Sequence, residues 1–269
     1  MKFFRSIKIF TKEIIDNKSA IIQLTKRDFQ NRYIGSSLGF LWSIIQPIAN
    51  IVILWLVFTK GFKAGPINNV PFIVYLSLGI ISWEFFSQSL LGSTSVFQEY
   101  SYLVKKISFK IAILPIIKIL SSAITHMIFI TICIIILFYN NISFSFIWFQ
   151  TIYFMSAVMI LTLGLGWITS SLQVFFKDIA QLITILLQIG FWTTPVVWNF
   201  EIVPPHLQFI FKLNPMYYII TGYRDSFVNQ LPFWHDKLSM IYFWTVTLFI
   251  LLIGVLIFKK LRPHFADVL

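Results

Sequence analysis

The amino-acid sequence predicts an all-α membrane protein with six transmembrane helices, and three observations support this fold class. Of the 269 residues, 58% are hydrophobic and only 12% are charged, whereas a soluble domain carries about a quarter charged residues. So little polar surface could not cover a water-soluble core of this composition. Long apolar stretches recur along the chain, and basic residues concentrate between alternate stretches. The chain is therefore expected to be solvated by lipid.

The apolar stretches define the predicted spans, because a hydrocarbon core about 30 Å thick requires roughly 20 apolar residues of helix. Cytoplasmic segments of membrane proteins are enriched in Lys and Arg, which assigns the orientation. With the N-terminus inside, the cytoplasmic segments hold 15 basic residues and the outer segments hold five. Both termini are therefore predicted to lie in the cytoplasm. The six predicted spans are residues 38–59, 71–91, 111–138, 146–172, 179–198 and 239–258.

Residues 1–37 form a cytoplasmic segment that is distinct from the transmembrane domain of residues 38–269. Within the first segment, residues 3–33 alternate apolar and charged side chains at helical spacing. This pattern predicts an amphipathic helix in the membrane interface, with its basic side toward the lipid headgroups. The alternative is a helix that is solvated in the cytoplasm. The apolar positions are Phe3, Ile7, Phe10 and Ile14, and the basic positions include Lys8 and Lys12.

The segment from 199 to 237 is too apolar for an ordinary loop. Pro204, Pro205 and Pro215 divide it into pieces of about nine and twelve residues, which are too short to cross a bilayer. Interrupted helices occur at membrane depth only where protein or a water-filled cavity covers the freed backbone groups. The pattern predicts a re-entrant helical hairpin that dips into the outer leaflet between spans five and six.

The sequence carries no signature of catalysis or of metal binding. The phosphate-binding pattern G-x-x-x-x-G-K-[ST] is absent, and the four histidines lack the spacing of metal ligands. The single cysteine, Cys133, excludes an intrachain disulfide. Gly164-x-Gly166 lies within span four and does not follow a strand, so it indicates a close contact between helices. We expect no metal site and no cofactor in this chain.

Two stripes of polar residues lie inside predicted spans, one on span one and one on span five. Their spacing of three or four residues places the members of each stripe on one helix face. Amides in hydrocarbon need partners, so a stripe is either a hydrogen-bonded contact between helices or the lining of a wet pathway. Since sugar rings stack on aromatic side chains and bond to amides, the second reading suggests a hydroxylated substrate. The stripes are Trp42, Gln46 and Asn50 on span one, and Gln181, Thr184, Gln188 and Trp192 on span five.

A series of short motifs runs through nearly the whole chain. They are Leu24-Thr-Lys-Arg-Asp-Phe-Gln-Asn-Arg-Tyr-Ile-Gly-Ser36, Leu38-Gly-Phe-Leu-Trp-Ser43, Trp83-Glu-Phe-Phe-Ser87, Leu103-Val-Lys-Lys106, Ile113-Leu-Pro115, Val174-Phe-Phe-Lys-Asp-Ile179, Pro195, Leu213-Asn-Pro-Met216 and Tyr223-Arg-Asp225. In this order they resemble the permease subunits of polysaccharide-exporting ATP-binding-cassette transporters, which export O-antigen, capsule or teichoic-acid chains. Glu84 departs from the family pattern, in which an uncharged residue such as Asn is expected.

The resemblance implies a homodimer of six-helix subunits in the cytoplasmic (inner) membrane, surrounded by membrane lipids. Two copies of a cytoplasmic ATPase subunit would bind the ATP, so the permease itself would have no ATPase site and no nucleic-acid partner. Spans one and five would line the path of a lipid-linked polysaccharide, which agrees with the polar stripes.

The resemblance also implies two regions that act on this path. A coupling helix within residues 95–106 and a turn at residues 177–178 would contact the ATPase, and short helices of residues 199–228 would form an outward gate. The alternatives are a basic loop that binds anionic lipid and a passive cap over the subunit interface. The residues assigned to coupling are Gln98, Glu99, Tyr100, Leu103, Lys105, Lys177 and Asp178, and those assigned to the gate are Pro195, Trp198, Tyr217, Tyr218 and Arg224.

Two other classes of function compete with an exporter. A membrane-embedded transferase for lipid-linked sugars would need paired carboxylates, but Asp225 and Asp236 are eleven positions apart. A passive channel or scaffold would need no coupling elements. Inside the spans, Glu84 and Lys118 are expected at one depth and would form an ion pair. The alternative is that Lys118 extends to the interface while Glu84 is protonated or hydrogen-bonded.

Overall fold

Helices form almost all of the regular structure in the computed structural model, which describes residues 15–32, 36–67, 70–106 and 109–269. The apolar positions predicted for the interface helix before residue 15 lie outside the described residues. The helices are α1 (Lys18–Asn31), α2 (Trp42–Leu56), α3 (Phe72–Glu99), α4 (Ser101–Val104), α5 (Leu114–Tyr139), α6 (Thr151–Phe175), α7 (Ile179–Thr193), α8 (Gln208–Lys212), α9 (Pro215–Arg224), α10 (Lys237–Leu261) and α11 (Phe265–Val268).

Five helical segments are long and apolar enough to cross a membrane, and each overlaps a predicted span. They are Gly39–Gly61, Phe72–Glu99, Ile111–Tyr139, Phe146–Phe175 and Lys237–Val268. Helix α7, which corresponds to the fifth predicted span, is apolar but has only 15 residues. At 1.5 Å per residue it is about 22 Å long, less than the thickness of the hydrocarbon core. A multi-pass helical membrane protein is therefore confirmed, and the count of six spans stays a prediction.

Helix α3 lies at the centre of the fold and has the largest buried share of any candidate span. It packs against α2, α5, α6, α7 and α9, while α10 packs against α6 on the outside. This central position explains why α3 shows no clear apolar face: neighbours surround it, so nearly every position must fit a protein contact. The peripheral helices α2 and α10 bury far less of their length.

Small residues permit the close helix contacts, as the Gly164-x-Gly166 motif predicts. A Cβ atom on Gly254 of α10 would lie 2.5 Å from the carbonyl oxygen of Gly164. A Cβ on Gly164 would lie 2.9 Å from the Cα of Leu251, and one on Gly166 would lie 2.8 Å from the Cβ of Ser93 on α3. The prediction of a helix contact at this motif is confirmed, with Gly164 facing α10 and Gly166 facing α3.

We expect Gly254→Ala to destabilise the protein by about 1–3 kcal/mol, because the added methyl group overlaps the backbone of α6 and forces the two helices apart. Gly65→Ala is the matched control, since a Cβ at that position meets no atom within 4 Å. Thermal unfolding of the two purified variants in detergent measures the difference. Equal melting temperatures would show that α6 and α10 do not cross at this glycine.

One end of the helix bundle, here called the basic end, is closed by a cluster of buried apolar residues. The cluster joins α1, the last turns of α3, the first turns of α5, the end of α6, and α11. Both the described start of the chain and its C-terminal helix therefore lie at this end, together with the α3–α5 connection and the α6–α7 turn. The basic residues of these segments are Lys18, Lys26, Arg27, Arg32, Lys105, Lys106, Lys110, Lys177, Lys259, Lys260 and Arg262. The opposite end carries the short helices between α7 and α10.

Candidate functional sites

The polar stripe on α2 and the polar stripe on α7 face away from the protein interior. Trp42 is 43% exposed and Trp192 is 54% exposed. The opposite faces of the two helices pack inward, against α3 and its neighbours. Of the other stripe residues, Asn50 is half-buried, and the exposed ones are Gln46, Gln181, Thr184 and Gln188. The stripes therefore do not serve as packing contacts within one chain.

Of the polar stripe side chains, only Thr184 has a hydrogen-bond partner among the described residues. Thr184 donates to the carbonyl oxygen of Ala180 in its own helix. Among the described residues, the structure shows no hydrogen bond to the four stripe amides at positions 46, 50, 181 and 188. The described contacts thus give no support to a role of these amides in bonding between helices of a single chain.

Glu84 and Lys118 do not form the predicted ion pair. The carboxylate of Glu84 accepts a hydrogen bond from Nε2 of Gln88, one turn further along α3, at 3.3 Å. Lys118 instead extends toward the basic end and contacts the carboxylates of Asp28 and Glu99. The prediction of the pair was wrong, and the alternative in which Lys118 extends toward the interface is closer to the structure.

Lys118 is the centre of a charged cluster that joins α1, α3 and α5. Its Nζ lies 2.6 Å from Oδ1 of Asp28, whose side chain is 4% exposed. The hydroxyl of Tyr100 donates to the same oxygen at 3.1 Å. Arg32 lies 3.6 Å from the other oxygen of Asp28. We call these residues, together with Glu99, the Lys118 cluster.

The electrostatics of the Lys118 cluster favour an ionised Asp28. Burial by itself raises the pKa of Asp28. The hydrogen bond and the positive charge of Lys118 lower this pKa by more than burial raises it, so that the pKa lies below its usual value of 3.8. Glu99, with a side chain 48% exposed, is the carboxylate of the cluster that water reaches. The cluster is thus a fixed buried pair, Asp28 with Lys118, and one partner at the surface.

A pair of glutamines connects the two segments that were assigned to ATPase coupling. Gln98 at the end of α3 donates to the backbone carbonyl of Gln173 at 3.2 Å, and Gln173 Nε2 donates to the Gln98 side-chain oxygen at 3.2 Å. Gln173 also donates to the carbonyl of Lys177 at 3.0 Å and accepts from the backbone N–H of Ala180 at 2.7 Å. The sequence analysis missed Gln173, although a polar residue four positions before the predicted turn was a usable signal.

The other residues assigned to coupling lie at the surface of the basic end. Lys105, Lys177 and Asp178 are exposed, and Leu103 is half-buried beside the apolar cluster of this end. Tyr100 is buried and belongs to the Lys118 cluster. The assigned residues therefore include two kinds, exposed side chains on the connecting segments and buried side chains that fix those segments to the helices.

Arg224 organises the opposite end of the bundle, where the gate was predicted. Its guanidinium, only 7% exposed, donates to the carbonyl oxygens of Pro195 and Val196, each at 2.8 Å. It also bonds to the carbonyl of Tyr75 at 3.4 Å and stacks 3.4 Å above the ring of Tyr75. Gly79 permits this approach, since a Cβ there would lie 2.2 Å from the Val196 oxygen. Arg224 thus fastens the non-helical segment after α7 to the start of α3.

The remaining gate residues lie around the same segment. Trp198 Nε1 donates to the carbonyl of Trp192 at 3.0 Å, and Tyr75 donates to the carbonyl of Trp198 at 3.1 Å. On α9, Tyr217 packs on the ring of Phe200 at 4.7 Å, and Tyr218 donates to the carbonyl of Phe233 at 2.9 Å. Tyr75, which contacts both Arg224 and Trp198, was not predicted from the sequence, because no motif marks it.

The described part of the chain contains no group of three or more His, Cys, Asp or Glu side chains that could hold a metal ion. The two carboxylates considered for a transferase are both engaged locally. Asp236 caps α10 by accepting from the N–H of Ser239 at 3.1 Å, and Asp225 accepts from Asn229 at 2.7 Å.

Comparison with known proteins places this geometry in a family. The family model described as ABC-2 type transporter matches residues 19–228. The O-antigen export system permease protein RfbA of Klebsiella pneumoniae is 26% identical over 250 residues, which cover 93% of this chain and 94% of that protein. RfbA of Myxococcus xanthus is 26% identical over 264 residues, covering 95% and 97%. The putative transport permease ycf38 of Porphyra purpurea is 26% identical over 247 residues, covering 84% and 79%. The family match contains both polar stripes, the Lys118 cluster and Arg224.

Proposed function

Because this chain belongs to the ABC-2 type transporter family, we propose that it is the permease subunit of an exporter for a lipid-linked polysaccharide. The relatives named as O-antigen export permeases match it over at least 93% of its length, which favours an O-antigen-like polymer over teichoic acid or capsule. Transport is driven by ATP hydrolysis on two copies of a separate ATPase subunit. The chain described here supplies the path through the membrane.

The observation that carries the proposal is the pair of exposed polar stripes on otherwise apolar helices. Leaving amides in hydrocarbon without partners is costly, so their exposed faces must meet water, substrate or a second subunit. A homodimer whose α2 and α7 surround a shared path satisfies all the stripe amides at once. The exposed rings of Trp42 and Trp192 then offer faces on which sugar rings stack.

The proposal includes α7 as the sixth span, and its contacts support this despite its length. The N–H of Ala180, at its start, bonds to Gln173 beside Gln98 of α3. The carbonyl of Val196, just after its end, lies against Gly79 of α3. Nineteen residues of α3 separate these two contacts, which at 1.5 Å per residue is about 28 Å. Helix α7 and its short extension thus cover the thickness of a bilayer core, and the segment after it is the start of the re-entrant hairpin.

The orientation and the energy coupling follow from the basic end. Its concentration of Lys and Arg favours the cytoplasmic side of the inner membrane, where the ATPase is located. The Gln98–Gln173 pair joins the coupling segment to the α6–α7 turn, so that an ATPase pressing on either segment displaces both. Since α7 follows that turn directly, movement at the ATPase contact reaches a stripe of the proposed path.

We expect cysteines at positions 46 and 188 to react with a hydrophilic thiol reagent when the chain is assembled with its ATPase and supplied with ATP. The background chain carries Cys133→Ser, and Leu256→Cys on the exposed face of α10 is the lipid-facing control, expected to stay unreactive. Labelling is measured in membrane vesicles, with and without ATP and the ATPase. Inertness of Gln46→Cys and Gln188→Cys in every nucleotide state would contradict a path along these stripes.

A further inference from the structure

A groove of about 440 Å³ opens at the basic end, between the α3–α5 connection and the C-terminal residues. Four basic side chains surround it, and none of the described residues that line it is acidic. All four are exposed to solvent. The nearest acidic residue along these segments, Asp267, is exposed and does not line the groove. The four basic residues are Lys105, Lys106, Lys259 and Arg262.

The floor of the groove is apolar. Val104, Ile111 and Phe265 line it and are buried in the cluster that closes the basic end. Phe109 and Pro263 add further apolar surface. A rim of positive charge over an apolar floor matches a ligand that is anionic at one side and apolar at the other. A small inorganic anion would use the rim and leave the floor uncovered.

The position of the groove relative to the candidate spans favours a membrane lipid as the ligand. Ile111 begins one candidate span, and the C-terminal residues that line the groove belong to the last turns of another, Lys237–Val268. The groove therefore lies at the ends of two candidate spans. Basic pockets between transmembrane helices on the cytoplasmic side are a known kind of site for anionic headgroups. The volume also falls in the range of sites for molecules larger than a single phosphate.

We propose that this groove binds an anionic glycerophospholipid, with its phosphate on Lys105, Lys106 and Arg262 and the first carbons of its acyl chains against the apolar floor. The bound lipid would join the segment that follows α3 to the C-terminal helix. The site does not depend on the exported polymer and would be present whether or not the chain transports polysaccharide.

The test uses the full-length chain in detergent, with added phosphatidylglycerol or phosphatidylcholine, and reads lipid binding by native mass spectrometry and by the shift in melting temperature. The groove variant is Lys106→Gln with Arg262→Gln. The matched control is Lys260→Gln with Lys237→Gln, which removes the same charge from exposed positions that do not line the groove. Equal melting temperatures of both variants in phosphatidylcholine establish that they fold.

Phosphatidylglycerol should bind the unmodified chain more tightly than phosphatidylcholine does. Its affinity should fall about 30-fold in the groove variant, because each basic residue near an anionic surface contributes about a fivefold factor. The affinity of the control variant should change by less than about threefold, because neither of its two substituted residues lines the groove. An equal loss of phosphatidylglycerol affinity in both variants, or no loss in either, would show that the groove is not the binding site.

Three further measurements distinguish binding of an anionic glycerophospholipid from binding of other anions or of a protein. Inorganic phosphate alone should not reproduce the shift, and a full effect of phosphate would show a free-anion site instead. Undecaprenyl phosphate, added in phosphatidylcholine, should raise the melting temperature no more than phosphatidylglycerol does. A larger rise with undecaprenyl phosphate would assign the groove to the lipid carrier of a substrate. Loss of ATPase binding in the groove variant with unchanged lipid affinity would show that the groove is a protein contact.

Discussion

Replacing Lys118 by Met should destabilise the protein by about 3–5 kcal/mol, because removing one partner of a buried ion pair leaves the other charge unpaired. Of the described residues around the Asp28 carboxylate, the hydroxyl of Tyr100, the more distant Arg32 and Ser121 would remain, and none of them replaces the adjacent ammonium group. Lys260→Met is the control, since that side chain is exposed at the same end of the bundle. Thermal and denaturant unfolding in detergent measure the loss.

The double variant Lys118→Met with Asp28→Asn should be more stable than Lys118→Met alone, since no buried carboxylate then lacks a cation. The exposed carboxylate of Glu99 stays solvated in both variants. Strictly additive losses in this cycle would show that Lys118 and Asp28 do not interact.

The Asp28–Lys118 pair also predicts how the difference in stability between the unmodified protein and Lys118→Met depends on pH. In the native protein the pKa of Asp28 lies below 3.8, so its stabilising contribution is complete above that value and is lost as the pH falls through the lowered pKa. Without Lys118, burial dominates, and Asp28 takes up a proton before the pH reaches 3.8. The gap in stability between the two proteins should therefore narrow under acid conditions. A gap that stays constant from pH 7 to pH 3 would contradict this account.

The error over Lys118 shows where prediction from the sequence reaches its limit. The predicted second span ends at residue 91, but α3 continues to Glu99. The aliphatic carbons of Lys118 lie 3.6 Å from the Cβ position of Gly92, eight residues, or about 12 Å, beyond Glu84. The apolar pattern marks where hydrocarbon ends and carries no signal for a helix that continues into protein.

The apolar periodicity of the sequence also does not indicate that Asp28 of α1 is the partner of Lys118. Helix α1 packs on α5 through Ile21, Thr25 and Asp28, and two of these three buried residues are polar. A reading based on apolar periodicity assigns an acidic residue to the solvent side. Its burial depends on Lys118, which lies 90 positions further along the chain. Long-range pairing of this kind has no local sequence signature.

The long apolar helices and the Gly164 contact were predictable because both depend on local composition. A span is set by about 20 consecutive residues, and a missing side chain permits close approach regardless of partner. The gate region was predictable only in outline. Pro204, Pro205 and Pro215 correctly divided it into short helices. The partners of Arg224, however, are backbone carbonyls, and every residue carries one, so side-chain patterns cannot identify them.

Replacing Arg224 by Met should cost about 3 kcal/mol or more, because three carbonyl oxygens, those of Tyr75, Pro195 and Val196, would lose their donors in a dry site. We also expect export to fail, since the segment after α7 would no longer be held to α3. Stability is read from thermal unfolding in detergent, and export from polymer at the cell surface.

The variant Arg224→Lys tests whether charge alone is sufficient. A lysine has no planar fork to reach several carbonyls at once and cannot stack flat on the Tyr75 ring, so it should recover less than half of the lost stability. Tyr75→Phe keeps both the ring and the backbone carbonyl and removes the hydroxyl, which donates to the carbonyl of Trp198. It should therefore cost about 1 kcal/mol. Full recovery by Lys, or a loss in Tyr75→Phe as large as in Arg224→Met, would show that the guanidinium does not hold this segment through its carbonyl contacts.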